Sequence, residues 1–245
     1  MNNRIDVLGV GFDAVTMAKA VDRALALMEE KNSEYVVTPN PEIVMRARDD
    51  AGFRAAIEGA ALVLPDGVGI VRGAAMLGTP VPEKVPGIDF ASNVMERLAQ
   101  RGGSVFLFGA KPGVAEKAGD TLAAAHPGLV IAGTADGYFT DDAPILERIR
   151  VSEPDLLLVC LGAPKQELWM QNHAHALPVG LMAGLGGSLD VYAGTVKRAP
   201  EAWQKLGLEW LYRLIREPSR LGRMMVLPRF ILEVKSEKRK RDVKG

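Results

Sequence analysis

From Arg4 to about Tyr192, short apolar runs alternate with segments of helical spacing, and this alternation leaves few folds open. It is the pattern of strands joined by crossover helices in a mostly parallel sheet. The runs expected as strands are Ile5–Leu8, Tyr35–Thr38, Ala61–Leu64, Ser104–Phe108, Leu129–Gly133, Leu156–Leu161 and Val179–Ala183. In such sheets ligands lie beyond the carboxyl ends of the strands, where loops feed helix N-termini, so those loops are the places to search for chemistry.

The alternation stops after Gly194. Arg198-Ala199-Pro200 opens a long helical stretch, Glu217-Pro218 interrupts it, and a second helix runs towards Pro228 with no strand signal left. Beyond Arg229 the chain is polar through Lys238-Arg239-Lys240-Arg241 and is expected to fray or to lie on something acidic. Two units are expected: an α/β body over residues 1–195, Rossmann-like with a mostly parallel sheet and helices on both faces, and a helical, basic appendage over residues 196–245.

The chain has no net charge, yet the two units are oppositely charged. Residues 197–245 hold 14 Lys and Arg against 6 Asp and Glu, a balance of +8, which leaves −8 on the rest. A basic tail suits an anionic partner such as a membrane surface, a diphosphate or a nucleic acid; a solvated helical face with a disordered end is the plainer account. Met1 to Asp6 shows no secretory apolar region, and Val105–Phe108 and Leu156–Leu161 are too short to cross a bilayer. A cytoplasmic location is expected, and the single Cys160, inside an apolar run, fits packing in a reducing compartment.

Six loops stand out. Thr38-Pro39-Asn40-Pro41-Glu42 follows a strand: Asn40 suits a helix N-cap with Pro41 at the first helical position, while the Thr38 hydroxyl points to the ligand crevice. Pro65-Asp66-Gly67-Val68-Gly69 places a carboxylate at a strand end before two glycines. Asp66 is either a proton acceptor for a substrate hydroxyl or an N-cap, and Gly67 allows close approach of a ligand. Gly109-Ala110-Lys111-Pro112-Gly113 resembles a nucleotide-binding turn but lacks the G-x-G-x-x-G spacing. Gly162-Ala163-Pro164-Lys165-Gln166-Glu167 brings Gln166 and Glu167 to a helix start, where they can bond ligand hydroxyls, and Gly184-Leu185-Gly186-Gly187-Ser188 offers the N–H groups of Gly186 and Gly187 to phosphate or sugar oxygens. Gly133-Thr134-Ala135-Asp136-Gly137-Tyr138 either meets a base or ribose or is a simple turn.

No Asp-x-Asp pair occurs, so the divalent metal that many nucleotide-sugar transferases hold is not expected, and His173 and His175 fall on different faces of a helix. Cations would come from Arg213, Arg216, Arg220 and Arg223, whose guanidinium forks suit a diphosphate; a basic helix resting on anionic lipid explains them equally. Trp203, Trp210 and Tyr212 beside them suit either a bilayer interface or packing.

Together with Gly194-Thr195-Val196-Lys197-Arg198-Ala199-Pro200 and Leu206-Gly207-Leu208-Glu209-Trp210-Leu211-Tyr212-Arg213-Leu214, the loops Thr38-Pro39-Asn40-Pro41-Glu42, Pro65-Asp66-Gly67 and Gly162-Ala163-Pro164-Lys165-Gln166-Glu167 resemble the WecG/TagA/CpsF glycosyltransferase family along almost the whole chain. The resemblance implies an inverting, metal-independent transfer of N-acetylmannosamine from UDP-N-acetylmannosamine to the 4-hydroxyl of N-acetylglucosamine on undecaprenyl diphosphate, without cofactor, in building the wall teichoic acid linkage unit. It implies Asp66 as base, Thr38, Asn40 and Gln166 in the pocket, and Arg213, Arg220 and Arg223 on an appendage that closes the site at the inner face of the cell membrane. Expected partners are the UDP-sugar, the lipid-linked acceptor and an anionic membrane surface, with no nucleic acid; a homo-oligomer is left open. Relatives use UDP-N-acetylmannosaminuronic acid or other hexoses, and a uronate would call for an extra cation such as Lys165 or Lys111. An oxidoreductase is the rival enzyme reading, and a nucleotide-sugar-binding scaffold the non-enzymatic one.

Overall fold

The first apolar run does not join the parallel sheet. In the computed structural model, which describes residues 4–216, 222 and 225–244, β1 (Arg4–Val7) pairs antiparallel with β2 (Val10–Asp13), a strand the alternation did not reveal. A two-residue turn joins them, with Leu8 at φ 57° and Gly9 at φ 88°, the positive values that a tight hairpin needs. Asp13 accepts a hydrogen bond from Val63 N at 2.7 Å and meets Arg4 Nε at 3.3 Å. The hairpin therefore covers the edge of the main sheet, which would otherwise offer unpaired N–H and C=O groups.

After α1 (Met17–Glu30) come β3 (Glu34–Val37), α2 (Pro41–Asp49), α3 (Ala51–Glu58), β4 (Leu62–Val63), α4 (Val68–Met76), α5 (Gly87–Ala99), β5 (Ser104–Gly109), α6 (Val114–Ala125), β6 (Val130–Ala135), α7 (Ala143–Ser152), β7 (Leu156–Cys160), α8 (Lys165–His173), β8 (Leu181–Gly184) and α9 (Ser188–Tyr192). Six of these strands form one wholly parallel sheet in the order β4-β3-β8-β7-β5-β6. Apart from a bulge in β6, where the pairing with β5 skips a residue, side chains alternate across it. Tyr35, Val37, Phe106, Phe108, Leu157, Val159 and Met182 enter one core with the hairpin, α2, α3, α4, α7 and α8. Val36, Val105, Leu107, Leu156, Leu158, Leu181 and Ala183 enter the other with α1, α5, α6 and α9. A sheet buried on both faces explains why its strands read as continuous apolar runs. Cys160 belongs to the second core; burial pushes its thiol up to about 12.

Past α10 (Glu201–Lys205) and α11 (Glu209–Arg216), the region expected to fray or to lie on something acidic is a helix, α12 (Val226–Lys244). Pro228 does not end it, because in the first turn the missing N–H has no intrahelical partner to lose. Phe230 and Val234, four residues apart on one face, are fully buried against α2 and α4; an added Cβ on Gly73 would lie 3.0 Å from the Phe230 ring. Arg48 meets Glu233 at 3.0 Å and Arg241 meets Asp6 at 2.7 Å. No helix among the described residues is long and apolar enough to cross a membrane.

Candidate active site

The carboxyl ends of β4, β3, β8 and β7 gather one group of the expected residues. Thr38 is buried and donates its hydroxyl to Gly184 O at 3.2 Å, tying the loop after β3 to β8. Asn40 caps α2 by accepting from Ile43 N at 3.1 Å, with Pro41 at the first helical position. Gly69, at the start of α4, has no space for a side chain, since a Cβ would fall 2.5 Å from Pro41 Cγ. The helices that follow β3 and β4 thus start in contact.

Asp66 is half-buried beside them and does not cap α4. The N-cap is Gly67, at φ 89°, and Asp66 Oδ2 faces the N–H of Gly87, the first residue of α5, at 3.5 Å. A helix N-terminus favours negative charge. The carboxylate therefore sits between the ends of two helices at the rim of the sheet.

Gln166 joins the next two loops. Its side chain accepts from Gly186 N at 2.9 Å and donates to Glu167 Oε1 at 2.9 Å, and both residues are buried. Glu167 Oε2 is buried with no hydrogen-bond partner; burial pushes the carboxyl above its ordinary value, against the opposing effects of Gln166 and Arg46. Gly186, at φ 54°, has open space where a side chain would be, and Gly187 is exposed.

Gly109 and Lys111 belong to a different stretch of the rim. β5 lies four strand positions from β4, about 19 Å at ordinary strand spacing. Gly109 is glycine for a structural reason, since a Cβ there would lie 2.3 Å from Cys160 O of the adjacent strand. Lys111 is exposed on the turn that follows. Gly137 N donates to Ala110 O at 2.9 Å, bringing the loop after β6 onto that turn. Lys165, itself exposed, donates to Gly137 O at 3.1 Å and lies 3.8 Å above the Phe139 ring. β7 connects towards β8 and β5 towards β6, so between β7 and β5 the connections diverge, the place where open parallel sheets form a crevice.

The segment after α9 reaches back to Asp66. Arg198 grips Asp89, in the first turn of α5, through two bonds of 2.5 and 2.7 Å. Tyr192 donates to Ile88 O at 2.9 Å. Gly207, in the turn between α10 and α11, lies so close to Val68 that a Cβ would approach its side chain to 3.0 Å. Val68 follows Asp66 and Gly67 directly, so this turn packs on the acid's own loop. Trp203 and Tyr212 pack edge to face 5.7 Å apart, whereas Leu206, Trp210 and Ile215 are exposed. The expectations for Arg220, Arg223 and the side chain of Arg213 lie outside the described residues.

Sequence reasoning missed Gly87, Asp89 and Tyr192, and saw Arg198 as part of a helix start and of a family motif, with no role of its own. Nothing in the local sequence marks a contact 109 residues long, although Arg198-Ala199-Pro200 ends a glycine-led segment unlike the helices around it. His173 and His175 turn to Asp142 and to Asn32 O, and no cluster of three metal-binding side chains exists among the described residues.

A Bacillus spizizenii protein named N-acetylglucosaminyldiphosphoundecaprenol N-acetyl-beta-D-mannosaminyltransferase is 34% identical over 212 residues, 86% of this chain and 82% of that protein. Staphylococcus aureus proteins of the same name, from strains MW2 and N315, are each 34% identical over 239 residues, 97% of this chain and 94% of theirs. The model of the glycosyl transferase WecG/TagA/CpsF family matches residues 5–244, spanning the sheet, the rim loops and the helices that pack back on Asp66, and the chain belongs to that family.

Proposed function

We propose that this protein transfers N-acetylmannosamine from UDP-N-acetylmannosamine to the 4-hydroxyl of N-acetylglucosamine on undecaprenyl diphosphate, with inversion and without a metal, at the inner face of the cell membrane. The observation that carries this reading is the setting of Asp66: a half-exposed carboxylate at the sheet rim, against the start of α5, with the Gly207 turn packed on its loop. The names of the relatives supply the sugar and the acceptor.

In one displacement the acceptor oxygen bonds to the anomeric carbon as the bond from that carbon to the UDP oxygen breaks. The hydroxyl proton passes to Asp66, and UDP leaves with the electron pair from the opposite face of the sugar. General-base help of this kind contributes on the order of 10²–10⁴-fold. The donor would lie along the rim from the β7–β5 crevice towards Asp66. Gly186 and Gln166 lie between, and about 14 Å separates β7 from β4. Charge growing on UDP would be met by Arg213, Arg220 and Arg223, since preorganised cations act most strongly where water is excluded. Residues 1–195 serve as the catalytic body and 196–245 as the appendage, whose exposed Leu206, Trp210 and Ile215, near Lys205 and Arg216, suit an anionic bilayer surface.

A neutral donor fits better than a uronate. Lys165 is held by Gly137 and Phe139, and Lys111 stands out on an exposed turn, so neither supplies a free cation beside the sugar. The test is a donor panel, UDP-N-acetylmannosamine against its uronate and other UDP-hexoses, with a short-chain lipid-diphosphate N-acetylglucosamine. UDP release and the anomeric configuration of the product are read with and without chelator. A preference for the uronate, retention, or loss of activity in chelator would each overturn the corresponding part of the proposal.

A further inference from the structure

We infer that Arg198 is a positioning residue for Asp66, acting through Asp89 and the amino end of α5; the inference rests on the reading of Asp66 as the base. Both terminal nitrogens of Arg198 meet both carboxylate oxygens of Asp89, and a planar two-point pair fixes direction as well as distance. Asp89 lies two residues beyond Gly87, whose N–H faces Asp66 Oδ2. The residue between them, Ile88, is held through its carbonyl by Tyr192, whose hydroxyl also pairs with Ser92 Oγ at 3.1 Å. Three consecutive residues at the head of one helix are thus fastened from outside it.

Gly87 is closely packed on the side a Cβ would occupy, since that atom would lie 3.0 Å from Thr38 and 3.1 Å from Leu185 Cδ2. Gly87 and Asp89 share the first turn of α5, so a shift of the helix start at Asp89 moves the N–H that faces Asp66. Packing alone gives no reason for the pose of Arg198, whose Nε is buried without a partner, a loss that the fold bears. What the pose achieves is geometric. A base must stay within hydrogen-bond reach of the acceptor hydroxyl, and a misplacement of about 1 Å costs on the order of 10²-fold in rate. Because Arg198 stands where the chain leaves the α/β body, seating of the carboxyl-terminal helices and placement of the acid become one event.

Steady-state kinetics with UDP-N-acetylmannosamine and the short-chain acceptor test this in Arg198→Lys, which keeps the charge but loses the fork, and in Asp89→Asn, each made alone and in an Asp66→Asn background. We expect each single change to lower kcat about 10- to 10²-fold, with donor KM within about twofold of the parent. In the Asp66→Asn background the same changes should remove nothing further from the residual rate, as befits residues acting through one group. A raised donor KM with unchanged kcat would show that Arg198 grips the diphosphate itself. Losses that multiply in the Asp66→Asn background would show that it acts elsewhere, and either result overturns the inference. If Asp66→Asn alone keeps full turnover, the base reading has failed, and the inference falls with it, whatever Arg198 does. Should the ion-pair variants not fold, Tyr192→Phe loosens the same helix start with the pair intact and is expected to lower kcat at constant donor KM; an unchanged kcat there counts against the inference.

Discussion

Replacing Gly87 by alanine adds one methyl group where the start of α5 meets Thr38 and Leu185. Gly87 is not in a left-handed conformation, so alanine is compatible with its backbone and the consequence is one of space. The new Cβ would stand 3.0 Å from Thr38 Cγ2 and 3.1 Å from Leu185 Cδ2, about 0.5 Å inside ordinary carbon contact. Thr38 is pinned to Gly184 O and Leu185 is buried, so the helix start must yield. The Gly87 N–H to Asp66 contact, already 3.5 Å, lies at the limit for a hydrogen bond and would be lost by such a move. Overpacking costs about 1–3 kcal/mol, and the stiffer alanine returns roughly 0.4–1 kcal/mol through the unfolded chain. The balance, about 1–2 kcal/mol, lowers Tm by roughly 2–8 °C in a chain of this size. Turnover should fall more steeply, on the order of tenfold, because the acid loses a contact that helps to orient it. Differential scanning calorimetry and UDP release measured on the same preparation separate the two effects. A variant that unfolds several degrees earlier yet turns over at the parental rate would refute this link between the α5 start and the acid.

Asp66→Asn should bind UDP-N-acetylmannosamine as the parent does in calorimetry while turnover drops on the order of 10²–10⁴-fold; a smaller drop removes Asp66 from its role. For Glu167, burial raises the folded carboxyl above its ordinary 4.5, so the folded protein holds the proton more tightly than the unfolded chain. That contribution is complete below the unfolded value and is lost as pH rises through the folded one. Glu167→Gln should therefore be more stable than the parent near about pH 8 and level with it near about pH 4, and a pH-independent difference would contradict the burial effect. Cys160, with its thiol pushed up to about 12, should resist a disulfide reagent at about pH 8 until the protein unfolds; rapid labelling of native protein would show an accessible thiolate. Phe230→Ala, which empties a fully buried site under α12, should cost about 3–5 kcal/mol of docking and speed proteolytic removal of that helix, whereas an unchanged cleavage rate would show that α12 does not depend on it.

Much of the body was legible because its strands are buried on both faces. Such strands leave unbroken apolar runs, as in Leu156–Cys160, and the loops that end them carried Thr38, Asn40, Asp66 and Gln166 into one region. The hairpin was hidden because β2, Val10–Asp13, is short, contains Gly11, and follows a glycine that reads as loop. α12 was misread because it buries only Phe230 and Val234 at full depth, and the surrounding lysines and arginines mask so narrow a stripe. The ties from Arg198 to Asp89 and from Tyr192 to Ile88 span more than a hundred residues and follow no local periodicity. Gly109, in a loop that resembles a nucleotide-binding turn, is in any case demanded by the neighbouring strand.

The sheet order also sets when this site can come into being. β3 has β8 as its neighbour, with Glu34 opposite Leu181 and Val37 opposite Gly184, so two pieces of the crevice are separated by most of the chain. During synthesis the segment bearing Thr38 and Asp66 leaves the ribosome early, then waits with one flank of β3 unmatched until residue 184 is free. Pairing of distant parallel strands is slow, and an open flank invites association with other nascent chains or with a chaperone. Competence to handle an activated sugar is therefore acquired only once β8 has been made, and a truncated product lacking β8 would be an adhesive fragment rather than a weak enzyme.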